Sequence, residues 1–540
     1  MSDKTTNETI AQIFFEKIKE EEEYEFYQCR HCFEGKGCIK RRKGSGWTNL
    51  ANHAKSTHND WKETVEASIV REGQGSMNKF VQRKVSGRAW NVYRWLEWVI
   101  MDDHPFTFVE KPLTRKNSSL EDITRVTLLK YMHALGIEVE NKIKRMLPTT
   151  FGLIVDGWTC ASEHYFAVFA TWCRGTVVKE ALLCCGVQDE DEESNLDFSA
   201  ESLGDYLFDE LELLGYDFKA IEFISGDNTA CNPKLARLIG LKIGKPVPLI
   251  GCASHKLNLA VQHYIRNTCQ QLVDNLTELC RLLRTLKNAS KLRKLDLLCA
   301  ILKNDTRWGS TFAMIDRYVH LSEHFGDCDF GEDVLRCIPN AIDHSKIVKL
   351  RQELEYFQSI SMELQREGSD QLDMHDVRVL FDDLISKFPI VRHHLAADAD
   401  IVHNKDFERA VVLVQGGQEQ ELKRAEKDQI RRFLIDEDDE NSDENDTEED
   451  RERNAAQKLL DENRERKRAR FQKPTRYRCM NHIHPTTNKV ERLFSRAKLV
   501  LTDMRKRMTP RHVELLLFLR MNRSLWSEVT VEQAMIEANK

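Results

Sequence analysis

Between residues 149 and 260 the chain alternates short apolar runs with helical patterning, and this constrains the fold more than any other feature. Residues 151–159 read FGLIVDGWT, an apolar strand carrying Asp156 near its end. Residues 165–172 and 176–187 read as two more strands, joined by a turn at Arg174-Gly175. Such short connections imply an antiparallel meander. Residues 199–214 then place Leu203, Leu207, Leu211 and Leu214 at helical spacing, with Gly215 as the stop. Residues 221–224 give a fourth strand, followed by Ser225-Gly226-Asp227-Asn228. Residues 247–251 give a fifth, followed by Cys252-Ala253-Ser254-His255 at the head of a helix.

Three antiparallel strands, a helix, a strand, helices and a fifth strand make the order of an RNase H-like α/β core with a five-stranded mixed sheet. In that order the ends of the first and fourth strands sit side by side, which sets Asp156 against Asp227. Two carboxylates so close repel unless divalent cations neutralise them, the arrangement that two-metal phosphoryl transfer requires. The third carboxylate of such a cage is expected far downstream. Residues 483–499 read IHPTTNKVERLFSRAKL, with Glu491 on a predicted helix after Pro485. No Lys or Arg is expected inside the cage. Taken singly, these acids have ordinary readings: a turn Asp, a helix cap and a solvated helix Glu. Their joint register with the other motifs favours the cage.

A second constraint lies near the N-terminus. Cys29-x2-Cys32 is followed after 20 residues by His53-x4-His58. A CxxC turn offers two thiolates and a helix bearing two His offers two imidazoles, which together satisfy tetrahedral Zn²⁺. About 40 residues with few large apolar side chains need such a staple to fold. His31 and Cys38 are alternative ligands that fit the pattern less well. Residues 28–61 hold seven Lys or Arg against two acids, clustered at Lys40, Arg41, Arg42 and Lys43. That patch suits DNA phosphates.

The chain has 540 residues and a net charge of −7, but the charge is unevenly placed. Residues 436–452 contain twelve acids and one Arg, and read as disordered. The remainder is weakly basic, so an acidic total does not argue against a nucleic-acid partner. Residues 464–478 hold eight Lys or Arg and one Glu. They read as a nuclear import signal, a phosphate patch or a partner for the acidic run. Fifteen cysteines show no disulfide-like lattice. With no secretory pattern at the N-terminus, they are expected as free thiols or metal ligands in a reducing compartment. No apolar run approaches the 18 residues of a membrane span. The expected organisation is multidomain α+β: a polar helical segment (1–23), a finger (24–61), a linker (62–84), a helical domain (85–148) and the first part of the core (149–260). An all-helical insertion (261–480), the last part of the core with a C-terminal region (481–530) and a tail (531–540) follow.

The motifs DGWT, SGDNTACN, CASH, DTRWGST and VERLFSRAK appear in this order behind a finger that is similar to the BED type, with Tyr24, Phe26 and Tyr27 before its CxxC. As a set they closely resemble the hAT superfamily of DNA transposases, over residues 24 to 526. The resemblance implies that Asp156, Asp227 and Glu491 are the catalytic acids and hold Mg²⁺ or Mn²⁺. It implies that Cys252 and His255 help hold DNA near the scissile bond. Trp308 resembles the family Trp at the edge of the helical insertion, proposed to stack on a flipped base. Residues 492–526 resemble the dimerisation region, with Val513, Leu516, Leu517 and Leu519 on its apolar helix. The implied partners are double-stranded DNA and a second copy of the chain or more, in the nucleus, with no membrane and no small-molecule substrate. The family often carries small residues and Ser before the Glu, where this chain has Asn488, Lys489 and Val490. The competing expectation is a captured, non-catalytic DNA-binding regulator. A generic RNase H-like nuclease is disfavoured by the finger and the large insertion.

Overall fold

The structure is a computed structural model. It describes residues 7–20, 23–29, 32, 38–43, 45–58, 61, 85–160, 163–187, 200–304, 307–368, 371–435, 454–470, 475–501 and 508–540. The chain divides into two compact units, residues 1–86 and 87–540. His31, the 62–84 linker and the 436–452 acidic run lie outside the described residues.

In the first unit, helix α1 (Asn7–Phe14) leads directly into strand β1 (Phe15–Glu20). Strands β2 (Tyr24–Cys29) and β3 (Cys38–Arg42) complete an antiparallel sheet ordered β1-β2-β3, and helix α2 (Thr48–Thr57) covers it. Ile10, Ala11, Phe14 and Phe15 pack with Tyr27, Leu50, Ala51 and Ala54 in one small core. The sequence reading set residues 1–23 apart as a polar helical segment. The described part of that segment belongs instead to the finger's own core, because Ile10, Phe14 and Phe15 are the apolar groups that the short module otherwise lacks.

The second unit is mixed α/β and mostly helical. Strands β4 (Phe151–Cys160), β5 (Glu163–Arg174) and β6 (Val177–Val187) form the antiparallel meander, turned at Gly175 with φ +62°. β7 (Ile221–Gly226) and β8 (Leu249–Gly251) join it in parallel, giving the order β6-β5-β4-β7-β8. β7 is buried along its whole length, as a strand covered on both faces must be. The helix Ala200–Leu213 is followed by Gly215 in the left-handed region at φ +74°. Among the described residues between 253 and 470 most are helical, with a core of their own built on residues such as Leu276, Met314, Tyr318, Leu354, Phe357 and Leu380. The chain then returns to the sheet: Phe407, Phe433, Met480 and Ile483 close around Phe223 and Ile250.

The C-terminal end departs from the reading. Val513, Leu516, Leu517 and Leu519 are 0% exposed. Their helix, Pro510–Met521, packs on β6 and on the helix Arg125–Met146 of the same chain. These four side chains are core, and no face of them remains for a second subunit. Residues 531–540 are not a loose tail either. The helix Glu528–Ala538 packs along Arg125–Met146 and buries Val531 and Ala534. Among the described residues, no helix is long and apolar enough to cross a membrane.

Candidate functional site

The finger's ligands come from three pieces of backbone. Cys29 ends β2, and Cys32 N–H donates to Cys29 O at 3.5 Å. His53 lies in α2, and His58 caps its C-terminus. Cys29 Sγ is 3.3 Å from His58 Nε2, while Cys32 Sγ is 3.4 Å from His53 Nε2 and 3.6 Å from His58 Nε2. All four ligand atoms lie within 4.8 Å of one another, so Cys29, Cys32, His53 and His58 are placed to hold one zinc ion. Phe14 and Phe15 pack against the rings of His58 and His53, each at 5.5 Å. Burial, then the neighbouring His58, pushes the His53 imidazole down, toward the neutral form that ligates metal. Cys38 is exposed on β3 and outside this group.

The basic patch divides by strand alternation. Lys40 and Arg42 are exposed on one face of β3, and Lys43 follows, also exposed. Lys40 sits over the ring of Tyr24 at 3.8 Å. Arg41 points the other way. It pairs with Glu25 at 2.6 Å and stacks on Trp47 at 3.8 Å, with its side chain 12% exposed. Arg41 therefore holds β2 to β3, and the solvent-facing charges are those of Lys40, Arg42 and Lys43.

In the second unit, Asp156, Asp227 and Glu491 line one cavity of about 500 Å³. The register explains the first two. β4 and β7 run parallel with Ile154 opposite Ser225, so two steps further along each strand brings Asp156 and Asp227 abreast. Asp156 Oδ1 accepts from Gly157 N–H at 2.9 Å. Asp227 Oδ1 is held by Thr229 N–H at 3.1 Å, Thr229 Oγ1 at 2.6 Å and Asn232 Nδ2 at 2.6 Å. Gly226 makes this possible, since a Cβ there would stand 2.8 Å from Asn232 Nδ2. Glu491 occupies the first turn of the helix Asn488–Val500, where the helix dipole favours an anion. Burial first, then the charges of Asp227 and Glu491, push the Asp156 carboxyl up to about 7, against the Gly157 hydrogen bond and Arg307.

The three acids share a cavity but do not close on a point. Among the described residues, the finger ligands alone form a group of three or more within 4.8 Å. The expectation of a cage free of cations also fails: Arg307 Nη2 pairs with Glu491 Oε2 at 2.8 Å, and Lys498 lines the same cavity. Crowded carboxylates draw counter-charge, and the exposed, long-reaching Arg307 supplies it to Glu491. Sequence reasoning quoted the DTRWGST motif but passed over its Arg, just as it passed over Asn232 in SGDNTACN.

Cys252 is 1% exposed and acts as a junction. Its N–H donates to Gly226 O at 2.8 Å, and its Sγ accepts from Thr487 N–H at 3.3 Å. It thereby ties the end of β7, next to Asp227, to the head of the Glu491 helix. Burial pushes its thiol up, so it stays neutral. Ala253 N–H to Pro485 O at 2.8 Å and Ser225 Oγ to His484 O at 3.1 Å reinforce the same junction. His255 is half-buried and lines the cavity. Trp308 does not offer a ring to it. It is 6% exposed and packs near Phe312 and Phe357 in the helical core. Within the basic run, Lys467 pairs with Asp373 and Arg478 with Glu222, so part of that charge is internal.

These features define a chain with a Cys/His group placed to hold a metal ion and a mixed α/β unit that gathers three acids in one cavity. Set against known protein families and curated proteins, the chain matches no family model and no curated sequence.

Proposed function

We propose that the chain is a hAT-type transposase-like protein that binds double-stranded DNA in the nucleus and cuts and joins DNA strands. In this reading the second unit is an RNase H-like core interrupted after its fifth strand by the all-helical insertion. The observation that carries it is the meeting, in one cavity, of Asp156, Asp227 and Glu491, which come from β4, the end of β7 and a helix 264 residues beyond Asp227. The chemistry of the donors suits Mg²⁺ or Mn²⁺: hard carboxylate oxygens, that of Asp156 raised by burial and then by its like-charged neighbours. A divalent ion held there supplies Lewis acidity to a phosphodiester. Thr229 and Asn232 fix the Asp227 carboxylate. Cys252 fixes the distance between β7 and the Glu491 helix. Arg307 and Lys498 present positive charge to a phosphate entering the cavity. Lys40, Arg42 and Lys43 of the zinc-loaded finger contact the backbone of duplex DNA.

The pairing of Arg307 with Glu491 favours a second reading, that of a captured regulator which binds DNA without cutting it. A cleavage assay separates the two. The zinc-loaded full chain with Mg²⁺ should nick supercoiled plasmid, and Asp156→Asn should abolish nicking while leaving duplex binding within about twofold. Binding without nicking by the unmutated chain overturns the catalytic reading in favour of the regulator.

A further inference from the structure

Cys173 lies near the end of β5, and Cys479 lies in the segment 475–487 that leads into the Glu491 helix. Their Sγ atoms are 3.1 Å apart. His482 Nδ1 stands 3.3 Å from Cys173 Sγ, and its Nε2 faces Glu222 Oε2 at 3.6 Å. The meeting is held from several directions. Leu434 and Tyr477 form a β-bridge, Arg478 N–H donates to Phe433 O at 2.9 Å, and Thr171 Oγ1 donates to His482 O at 3.2 Å. Both cysteines are half-buried.

Two sulfurs and an imidazole also raise the question of a metal. Among the described residues only the finger ligands lie mutually within 4.8 Å, so these three atoms form a chain centred on Cys173, with no closed triangle. That arrangement is a dithiol with a base beside it. A disulfide needs its sulfurs at about 2.05 Å, an approach of about 1 Å from where they stand. The Cys173 thiol, donating to Cys479, holds Cys479 down to about 7, whereas the same bond and burial raise Cys173. Cys479 is thus the attacking sulfur and Cys173 the resolving one. Burial holds the His482 imidazole below its ordinary value and so neutral, and Glu222 beside it offsets part of that.

We infer that Cys173 and Cys479 form a reversible disulfide site, oxidised by a hydroperoxide, that clamps the segment before the Glu491 helix to the end of β5. The Cys479 thiolate attacks the terminal oxygen of the hydroperoxide. The S–O bond forms, the O–O bond breaks, and the alkoxide leaves to take up a proton. Cys173 gives its proton to His482 and attacks the Cys479 sulfenic acid. The S–S bond forms, the S–O bond breaks, and the departing hydroxide takes the proton back and leaves as water. Two thiols and one hydroperoxide become one disulfide, one alcohol and one water, and a small thiol reverses the oxidation. In a reducing compartment such a bond is transient and regulatory. The inference does not depend on the chain being a transposase.

The test uses the full chain, zinc-loaded and reduced, treated with hydrogen peroxide near neutral pH, then alkylated and mapped by peptide mass spectrometry. A Cys173–Cys479 linked peptide should form, lose both thiols together, and revert with dithiothreitol. Cys479 should be the first of the pair to react, in keeping with a thiol held below its ordinary range by the Cys173 hydrogen bond. Cys173→Ser should stop the reaction at a Cys479 sulfenic acid that dimedone traps, and Cys479→Ser should leave Cys173 open to alkylation. Mapping of the unmutated chain decides the question even if a variant folds poorly. The inference is overturned if Cys173 and Cys479 stay as alkylatable as Cys299, if linked peptides scatter among other cysteines, or if the chain carries a second zinc that protects the pair.

Discussion

Replacing Asp156 by Asn should make the second unit more stable, and the gain should grow with pH. The unfolded chain ionises this carboxyl near its ordinary 3.8, and the folded chain does so only at about 7. Between those values the folded state holds a proton that the unfolded state has released, so stability falls as pH rises through the window. Well below 3.8 both states are protonated and the acid costs nothing. Above about pH 8 both are ionised and the full cost is reached, about 4 kcal/mol at about 1.4 kcal/mol per tenfold change in equilibrium. Asp156 is open to the cavity on one side, and solvent there reduces the figure to roughly 2–4 kcal/mol. Asn keeps an oxygen for the Gly157 N–H and carries no charge. Urea unfolding with EDTA, followed by tryptophan fluorescence, should therefore show a gain under about 1 kcal/mol near pH 4.5, rising to roughly 2–4 kcal/mol near pH 8.5. Mg²⁺ should stabilise the unmutated chain and leave the Asn variant unmoved, because a ligand stabilises only the state that binds it. A gain that ignores pH, or a loss of stability, would refute the electrostatic account of this cavity.

Metal analysis should find one zinc per chain, and Cys29→Ser or His58→Ala should remove it and unfold the finger as judged by amide hydrogen exchange; a zinc-free wild type ends that assignment. Lys40→Glu with Arg42→Glu should weaken duplex binding across all sequences and lower the salt slope by roughly two, at about 0.9 per phosphate contact. Arg41→Glu should instead destabilise the finger, since it breaks the contacts to Glu25 and Trp47; equal effects of the two changes on folding would contradict the split of β3 into two faces. Leu516→Ala should cost roughly 2–5 kcal/mol of second-unit stability at any protein concentration, and a cost that disappears on dilution would restore a subunit interface at that helix. Cys252→Ala should lower the protection of the Thr487 amide against hydrogen exchange while the rest of β7 stays protected.

Local pattern carried much of the architecture. The strand FGLIVDGWT, the turn at Gly175, the Leu spacing before Gly215 and the Cys/His spacing of the finger are statements about residues a few positions apart. Periodicity and steric preference settle such features before any tertiary contact forms. The meander and the five-stranded mixed sheet follow from them, as do the four ligands, because a CxxC turn and two His on one helix are nearly pre-assembled. The register of Asp156 with Asp227 was also within reach, since parallel strands of equal pitch fix which residues stand abreast.

What the sequence left open is whatever depends on groups distant in the chain. Ile10, Phe14 and Phe15 look like parts of a polar leader until the sheet they complete is seen. Val513, Leu516, Leu517 and Leu519 give the same apolar pattern whether they meet β6 or another subunit, because helical periodicity tells which face is buried and not against what. Trp308 and Arg307 are neighbours in one motif, yet packing sends the first into the helical core and the second to Glu491. Cys173 and Cys479 have no mutual signal across 306 residues. Their meeting, like the junction that Cys252 makes between β7 and the Glu491 helix, exists only because the chain comes back to the sheet after the helices that follow β8. Hydrophobic burial and chain connectivity decide that return over the whole second unit, and no single stretch of sequence contains it.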